Sequence, residues 1–343
     1  MLCVGAHRHG DSTMRMAKVL TILLLGLATT VPLAPAARAI DGERVFQAIV
    51  GLDMVVPAKA RTARFLGTER EGSGVVIGDD LILTIGYLIV ESTAVEIILH
   101  NGRKVPGTIA GYDHISGFGL VRSLAPLNLP AMALGEAKGL AAADQVLVAT
   151  RLGPSQALGA YVVSRRTFAG GWEYVLDRAI FTAPPHPAFG GAALVNTEGK
   201  LVGIGSLIVT DAATPGRPSP GNMFVPIDEL KPILADLQKT GKRADPERPW
   251  LGITAEAYRG RVVAGRIAED SPAAKAGIAE GDVLIAVAGK PVSELAEFFR
   301  AVWAVGPAGV QVPLTVLDAN GKTRDVALVS VGRNSWFRAD KGL

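Results

Sequence analysis

Residues 190–204 read GGAALVNTEGKLVGI. Two short apolar runs, 192–195 and 201–204, flank a polar stretch that contains Glu198-Gly199. Apolar runs of this length around a glycine-bearing turn predict a β-hairpin. The same pattern recurs upstream. GSGVVIG (72–78) and LILTIGYLIV (81–90) read as strands, and VEIILH and KVPGTIAGY flank Asn101-Gly102, a strong hairpin turn. Many short strands without a long helix between Val45 and Ile208 predict an all-β barrel or sandwich. The 40 Gly and 21 Pro among 343 residues supply the turns such a fold needs.

Downstream the pattern changes. PIDELKPILADL (226–237) places apolar residues at 227, 230, 233, 234 and 237, a helical spacing. Asp228 is a candidate cap, and Pro232 would sit in the first turn. A polar linker, QKTGKRADPER (238–248), follows. Residues 249–333 then form a second unit. SPAAKAGI (271–278) has Ser271 as helix cap, Pro272 at the first helical position and Gly277 as a stop. A strand over 283–292, a helix starting at Ser293 and a hairpin around Asn320-Gly321 complete a small α+β domain, and 334–343 is read as a C-terminal tail.

The first segment reads as an address rather than as fold. Residues 14–39, MRMAKVLTILLLGLATTVPLAPAARA, combine a basic start, an apolar run and Ala37-Arg38-Ala39, a small-x-small cleavage site. This predicts a secretory leader covering 1–39 and cleaved after Ala39, and hence a periplasmic or secreted protein of a bacterial envelope. The whole chain has a net charge of +3. Removing Arg8, Arg15, Lys18 and Arg38 together with Asp11 leaves acidic and basic residues equal in number, so no electrostatic case for nucleic acid remains. The only cysteine, Cys3, leaves too, which excludes a disulfide framework and a Cys-based metal site. His100, His114 and His186 remain, with neither a zinc-binding HExxH pattern nor a phosphate-binding GxxxxGK[ST] loop, so no cofactor and no metal is expected.

The second unit resembles a bacterial PDZ domain through RPWLGI (248–253) and DSPAAKAGIAEGDVLIAVAGKPV (270–292). Gly252 would let the backbone turn so that successive N–H groups converge, a nest that binds a carboxylate. An extended peptide would then add beside Ile253 with its side chains against the helix 293–305. Leu251, Gly252 and Ile253 are the candidate peptide-binding residues. The apolar character of Trp250, Leu251 and Ile253 suits an apolar C-terminus, and Trp250 could equally be a core residue at the domain boundary.

The first unit resembles the trypsin-like domain of the HtrA/Deg serine proteases. The resemblance runs over GSGVVI (72–77), LILT (81–84), GYDHISGFGLV (111–121), GGAALVNTEGKLVGI (190–204) and NMFVPIDELKPIL (222–234). It implies a mainly β fold, a trypsin-like double β-barrel at 40–237 followed by the PDZ domain at 249–333. Catalysis in that family needs a serine nucleophile, a histidine base and an orienting aspartate. At the matching positions this chain has Gly190, Tyr87 and Gly117. Glycine has no nucleophile, and tyrosine, with a pKa of ~10, is a poor base at neutral pH. Ala188 and Phe189 also alter the loop that supplies oxyanion donors.

The expectation is a triad-less, exported HtrA/Deg-like protein. It would bind polypeptides, apolar C-termini or unfolded segments, as a chaperone, adaptor or regulator of envelope protein quality control. The resemblance allows a homo-oligomer (a trimer) or a complex with an active relative. Two alternatives stand beside it. One is a serine endopeptidase with a rearranged site, in which Ser164, Ser206 or Thr182 would work with His186. The other is a structural envelope protein whose PDZ groove is blocked by its own side chains. In the bland reading His186 is a loop residue, His114 with Asp113 sits in a turn, and His100 belongs to the Asn101-Gly102 hairpin.

Overall fold

The computed structural model describes residues 41–337, so the leader read at 14–39 and the last six residues lie outside the described residues. The strand-like runs up to Pro226 become twelve strands in two barrels. β1 (Ile49–Val55), β2 (Glu69–Val76), β3 (Leu81–Ile85), β4 (Ala94–Ile98), β5 (Lys104–Tyr112) and β6 (Phe118–Ser123) close in the order β1-β2-β3-β6-β5-β4. β7 (Gln145–Ala149), β8 (Leu158–Gly170), β9 (Tyr174–Ala183), β10 (Ala193–Val195), β11 (Leu201–Val209) and β12 (Gly221–Pro226) close in the order β10-β11-β12-β9-β8-β7. Closure removes the open edges of both sheets. The Asn101-Gly102 and Glu198-Gly199 hairpins form as the sequence predicts. They pair Ile97 with Val105 and Ala193 with Ile204, and Gly102 and Gly199 take the positive φ such turns require.

One apolar core links the barrels. Phe118 and Leu120 from the first, and Phe181 and Met223 from the second, belong to the same fully buried cluster. Each such side chain contributes ~1.5–3 kcal/mol of burial. Polar bonds cross the same seam. The Ser73 N–H donates to the Gly190 carbonyl (2.9 Å), and the Arg151 N–H donates to Ser73 Oγ (3.0 Å).

The helix expected over 226–237 is broken. A single 3₁₀ turn covers Ile227–Glu229, and the α-helix runs Leu234–Thr240. Pro232 has no N–H to donate and disfavours helical backbone at Lys231, which separates the two turns. Asp228 caps nothing there. Its Oδ2 instead accepts the Ala137 N–H (3.0 Å). The helix ends three residues inside the stretch read as a linker. Beyond it Arg243 makes a two-point contact with Asp113, Nη2 to Oδ2 at 2.9 Å and Nε to Oδ1 at 3.2 Å.

The C-terminal unit is a sheet of β14 (Ile253–Tyr258), β15 (Arg261–Ile267), β16 (Val283–Val287), β18 (Gln311–Leu317) and β19 (Thr323–Val329), paired in that order. The short β17 (Lys290–Pro291) lies on β16. β13 (Pro249–Trp250) pairs with β20 (Val331–Gly332). Ser271 caps the helix Pro272–Lys275 by accepting the Ala274 N–H, as predicted. The second helix starts at Leu295 rather than Ser293. Ser293 donates its N–H and Oγ–H to Glu297, which fastens the helix entrance from outside. β14 is an edge strand of this sheet. The stretch read as a tail begins folded. The helix Arg333–Trp336 and Phe337 pack against Trp250, with Trp336 at 4.7 Å and Phe337 at 5.9 Å between ring centres.

Burial by itself would raise the Asp113 carboxyl, but the bonds from Arg243 and Ser116 hold it below the ordinary range. Its stabilising effect is therefore complete above the ordinary aspartate pKa and is lost as pH falls through the lower folded value. Arg243→Ala strands a buried carboxylate. Urea unfolding at pH 7 is expected to show a loss of about 3 kcal/mol, and the deficit should shrink as the pH is taken below 4.

Candidate functional site

The loops at the barrel seam carry the three triad-matching positions. Tyr87 lies in the short helix Gly86–Ile89 directly after β3, and Gly190 lies in the turn before β10. A Cβ built on Gly190 would stand 3.1 Å from Tyr87 Oη, so the two positions face each other. Gly117 closes onto the same helix, its carbonyl accepting the Gly86 N–H (2.7 Å). It has φ +85°, a left-handed conformation that suits glycine. Asp113 holds the Gly117 loop from below. Its Oδ2 accepts Ser116 Oγ–H (2.6 Å) and the Ser116 N–H (2.9 Å), and its carbonyl accepts the Gly117 N–H (2.8 Å).

Gly117 and Gly190 have no side chain to offer a reaction. Tyr87 Oη donates to the Ser206 carbonyl across the seam (3.1 Å), and burial raises its pKa further above the tyrosine value. It stays protonated at any physiological pH. The turn at Gly190 is packed too tightly to be rebuilt freely. A Cβ on Gly191, at φ +72°, would lie 1.9 Å from the Ser73 carbonyl oxygen. The N–H groups of Ala188, Gly191 and Ala192 are spent on His186 Nδ1, the Gly205 carbonyl and the Phe189 carbonyl.

His186 is a buried structural residue. Its Nδ1 accepts the Ala188 N–H (3.0 Å), so Nε2 carries the proton and donates to the Gln156 carbonyl (2.8 Å). Both ring nitrogens are engaged by backbone, and the buried Asn222 amide brackets the His186 peptide on both sides. Ser164 Oγ–H donates to the Ala212 carbonyl. Among the described residues no serine hydroxyl is bonded to a histidine. His114 lies in the expected turn but is half-buried between Tyr112 (4.3 Å) and Phe337 (6.0 Å). Burial, helped by nearby Arg333, pulls its pKa down to about 3. His100 sits in the exposed turn before Gly102. Among the described residues no cluster of His, Cys, Asp or Glu could hold a metal ion.

A cleft of about 1590 Å³ opens on this seam. Tyr87, Gly117, Phe189 and Leu207 line one end, and Gly252, Ile253 and Arg266 line the other. Arg266 stacks over Phe65 (3.7 Å) and Arg61 over Trp336 (4.0 Å) along the wall. An aromatic and cationic lining of this kind suits an extended polypeptide rather than a small polar metabolite.

At the far end three backbone N–H groups converge. Gly252 has φ +83°, and a Cβ there would lie 2.3 Å from the Ser271 Cβ. With that turn the N–H groups of Leu251, Gly252 and Ile253 converge, at 3.2, 2.8 and 3.2 Å, on one oxygen. That oxygen is Oε1 of Glu173, from the tip joining β8 to β9. No motif marks Glu173 as this acceptor, because the two segments are far apart along the chain. Glu173 is only 6% exposed. Burial raises its pKa to about 7, against the opposing pull of Arg333 and the three N–H groups.

A trypsin-like peptidase domain matches residues 72–204 and a PDZ domain matches 263–318. The double barrel with its seam and the carboxylate nest on an edge strand therefore define a protein of the trypsin-like, PDZ-bearing class. The serine protease Do-like HtrA of Lactobacillus helveticus is 30% identical over 293 residues, which cover 76% of this chain and 68% of that protein. The periplasmic serine endoprotease DegP of Escherichia coli is 28% identical over 275 residues, covering 75% of this chain and 56% of DegP. The solved structure of the HtrA-type protease AlgW with a decapeptide has the same fold, with a TM-score of 0.52, 20% identity, and coverage of 85% of this chain and 97% of that one. The chain belongs to the HtrA family.

Because the folded pKa of Glu173 is raised, its contribution to stability is complete below pH 4.5 and falls as pH rises through 7. His114 works in the opposite sense between 6.5 and 3. The difference between the protein and its Glu173→Gln variant isolates the glutamate. Chemical denaturation is expected to show the wild type losing on the order of 3 kcal/mol relative to the variant from pH 4.5 to pH 8.

Proposed function

We propose that this HtrA-family chain is a non-catalytic, exported polypeptide-binding protein that acts in envelope protein quality control. The observation that carries the reading is the pairing of Gly190 with Tyr87 at the seam. The position facing a base has no side chain, and the position facing a nucleophile carries a protonated phenol. Loss of a triad nucleophile alone removes ~10⁶ in turnover in a serine protease of unrelated fold that uses the same triad. The His186 arrangement supports the same reading against a rearranged endopeptidase, since its acceptor nitrogen is already taken.

Export rests on the leader-like stretch 14–39 and on the periplasmic relative. Polypeptide binding rests on the cleft and on the PDZ domain. The ligand would be an apolar C-terminus or an unfolded segment, bound through Leu251, Gly252 and Ile253. Assembly as a trimer, or with an active protease relative, belongs to the same proposal. The boundaries 40–237 and 249–333 are the proposed domains, with 238–248 between them. A purely structural role has one observation in its favour, the filling of the PDZ nest by Glu173.

A fluorophosphonate serine probe and a casein digest test the catalytic half. No serine of the leaderless protein should label, and casein should stay intact. Labelling that one Ser→Ala substitution abolishes would instead establish an endopeptidase. Gly190→Ser alone should also remain unlabelled, because the new hydroxyl meets the Tyr87 phenol and no base. For the binding half, the leaderless protein should retain reduced, unfolded lactalbumin on a column. Failure to retain it would count against the polypeptide reading.

A further inference from the structure

The tip of the β8–β9 hairpin lies in the PDZ groove at three points. Glu173 Oε1 takes the N–H groups of Leu251, Gly252 and Ile253. Two residues upstream, the Gly171 carbonyl accepts the Ala255 N–H (2.8 Å), continuing along the free edge of β14. Two residues downstream, Val175 is buried in the apolar core of the PDZ unit together with Leu251, Ile253 and Phe298. A carboxylate in the nest, a backbone bond to the edge strand and an apolar side chain in the core are the contacts a C-terminal peptide would make.

The local backbone points the same way. Glu173 has φ +60°, a region that glutamate rarely occupies in turns. Glycine or asparagine would fit that turn without strain, so the carboxylate's bonds hold the residue there. Outside the groove the hairpin is tied by Arg300 to Asp177 and by Arg333 Nη1 to the Glu173 carbonyl (3.3 Å). Its next residue, Tyr174, donates to the Ser116 carbonyl (2.7 Å) beside Gly117.

We propose that Gly171–Val175 is an internal ligand of the PDZ groove. In this reading Glu173 stands in for a free C-terminal carboxylate, and only a polypeptide bringing its own carboxylate displaces it. The proposal rests on the polypeptide-binding reading and adds a gate to it. A tethered ligand competes at a high effective concentration, so the groove's apparent affinity falls by the fraction of molecules that are open. The groove is then closed at rest rather than blocked for good.

The test uses the leaderless full chain, its Glu173→Gly and Glu173→Gln variants, and a fluorescein-labelled hexapeptide pool. The pool ends in Val, Leu, Ile or Phe, as the free acid or as the amide. Glu173→Gly removes the carboxylate while relieving the positive φ, and Glu173→Gln keeps the shape of the side chain without its charge. Anisotropy should show the free-acid pool binding at least ~10-fold more tightly to Glu173→Gly than to the wild type, with Glu173→Gln between them and the amide pool weak throughout. Equal free-acid affinity in all three proteins, or equal affinity for acid and amide, overturns the gate. If wild type retains unfolded lactalbumin while the variants gain nothing, only the gate fails. If no variant binds polypeptide in any assay, the polypeptide reading fails with it.

Discussion

Three backbone N–H groups converging on one carboxylate oxygen join the two parts of this molecule. Residues 251–253 can present those donors only because Gly252 turns at φ +83° against Ser271. A concentrated set of donors left empty in a buried place would be costly, since unsatisfied buried polar groups lose their hydration without return. Glu173 fills it, and around that contact the Gly171 strand bond, the Val175 packing and the Arg333 contacts fall into place. The same hairpin reaches the barrel seam through Tyr174. One polar contact thus sets how the peptide-binding unit sits on the protease-like barrels.

The seam brings the loops of Tyr87, Gly117 and Gly190 together. The loops still converge. Ser73 still bonds to the Gly190 carbonyl, and Gly117 still closes onto the helix that carries Tyr87. Tyr87 bridges to Ser206, and His186 is turned toward Gln156. These bonds stabilise the seam.

Much of the fold could be read from local chemistry. The Asn101-Gly102 and Glu198-Gly199 turns, the Ser271-Pro272 helix start and the Asn320-Gly321 hairpin announce themselves over a few residues. Motif spacing also marks Tyr87, Gly117, Gly190 and Leu251, Gly252 and Ile253 as candidates along the chain. What escaped was long-range. Nothing near Glu173 marks it as the partner of Gly252, and nothing near Asp113 marks it as the partner of Arg243. A charged residue with a distant partner looks like any solvated one. The helix at 226–237 failed for a local reason, since hydrophobic spacing does not register the missing N–H of Pro232. The stretch after Arg333 looked like a tail because its aromatic contacts with Trp250 and His114 form only once both units are folded.

In the proposed gate the PDZ groove carries its own ligand at rest. Amide hydrogen exchange of the ligand-free protein reads this directly at Leu251, Gly252, Ile253 and Ala255. An occupied nest predicts slow exchange at all four amides, and faster exchange at all four in Glu173→Gly. Rapid exchange at these amides in the ligand-free wild type would mean that the nest stands open and that the groove has no internal ligand.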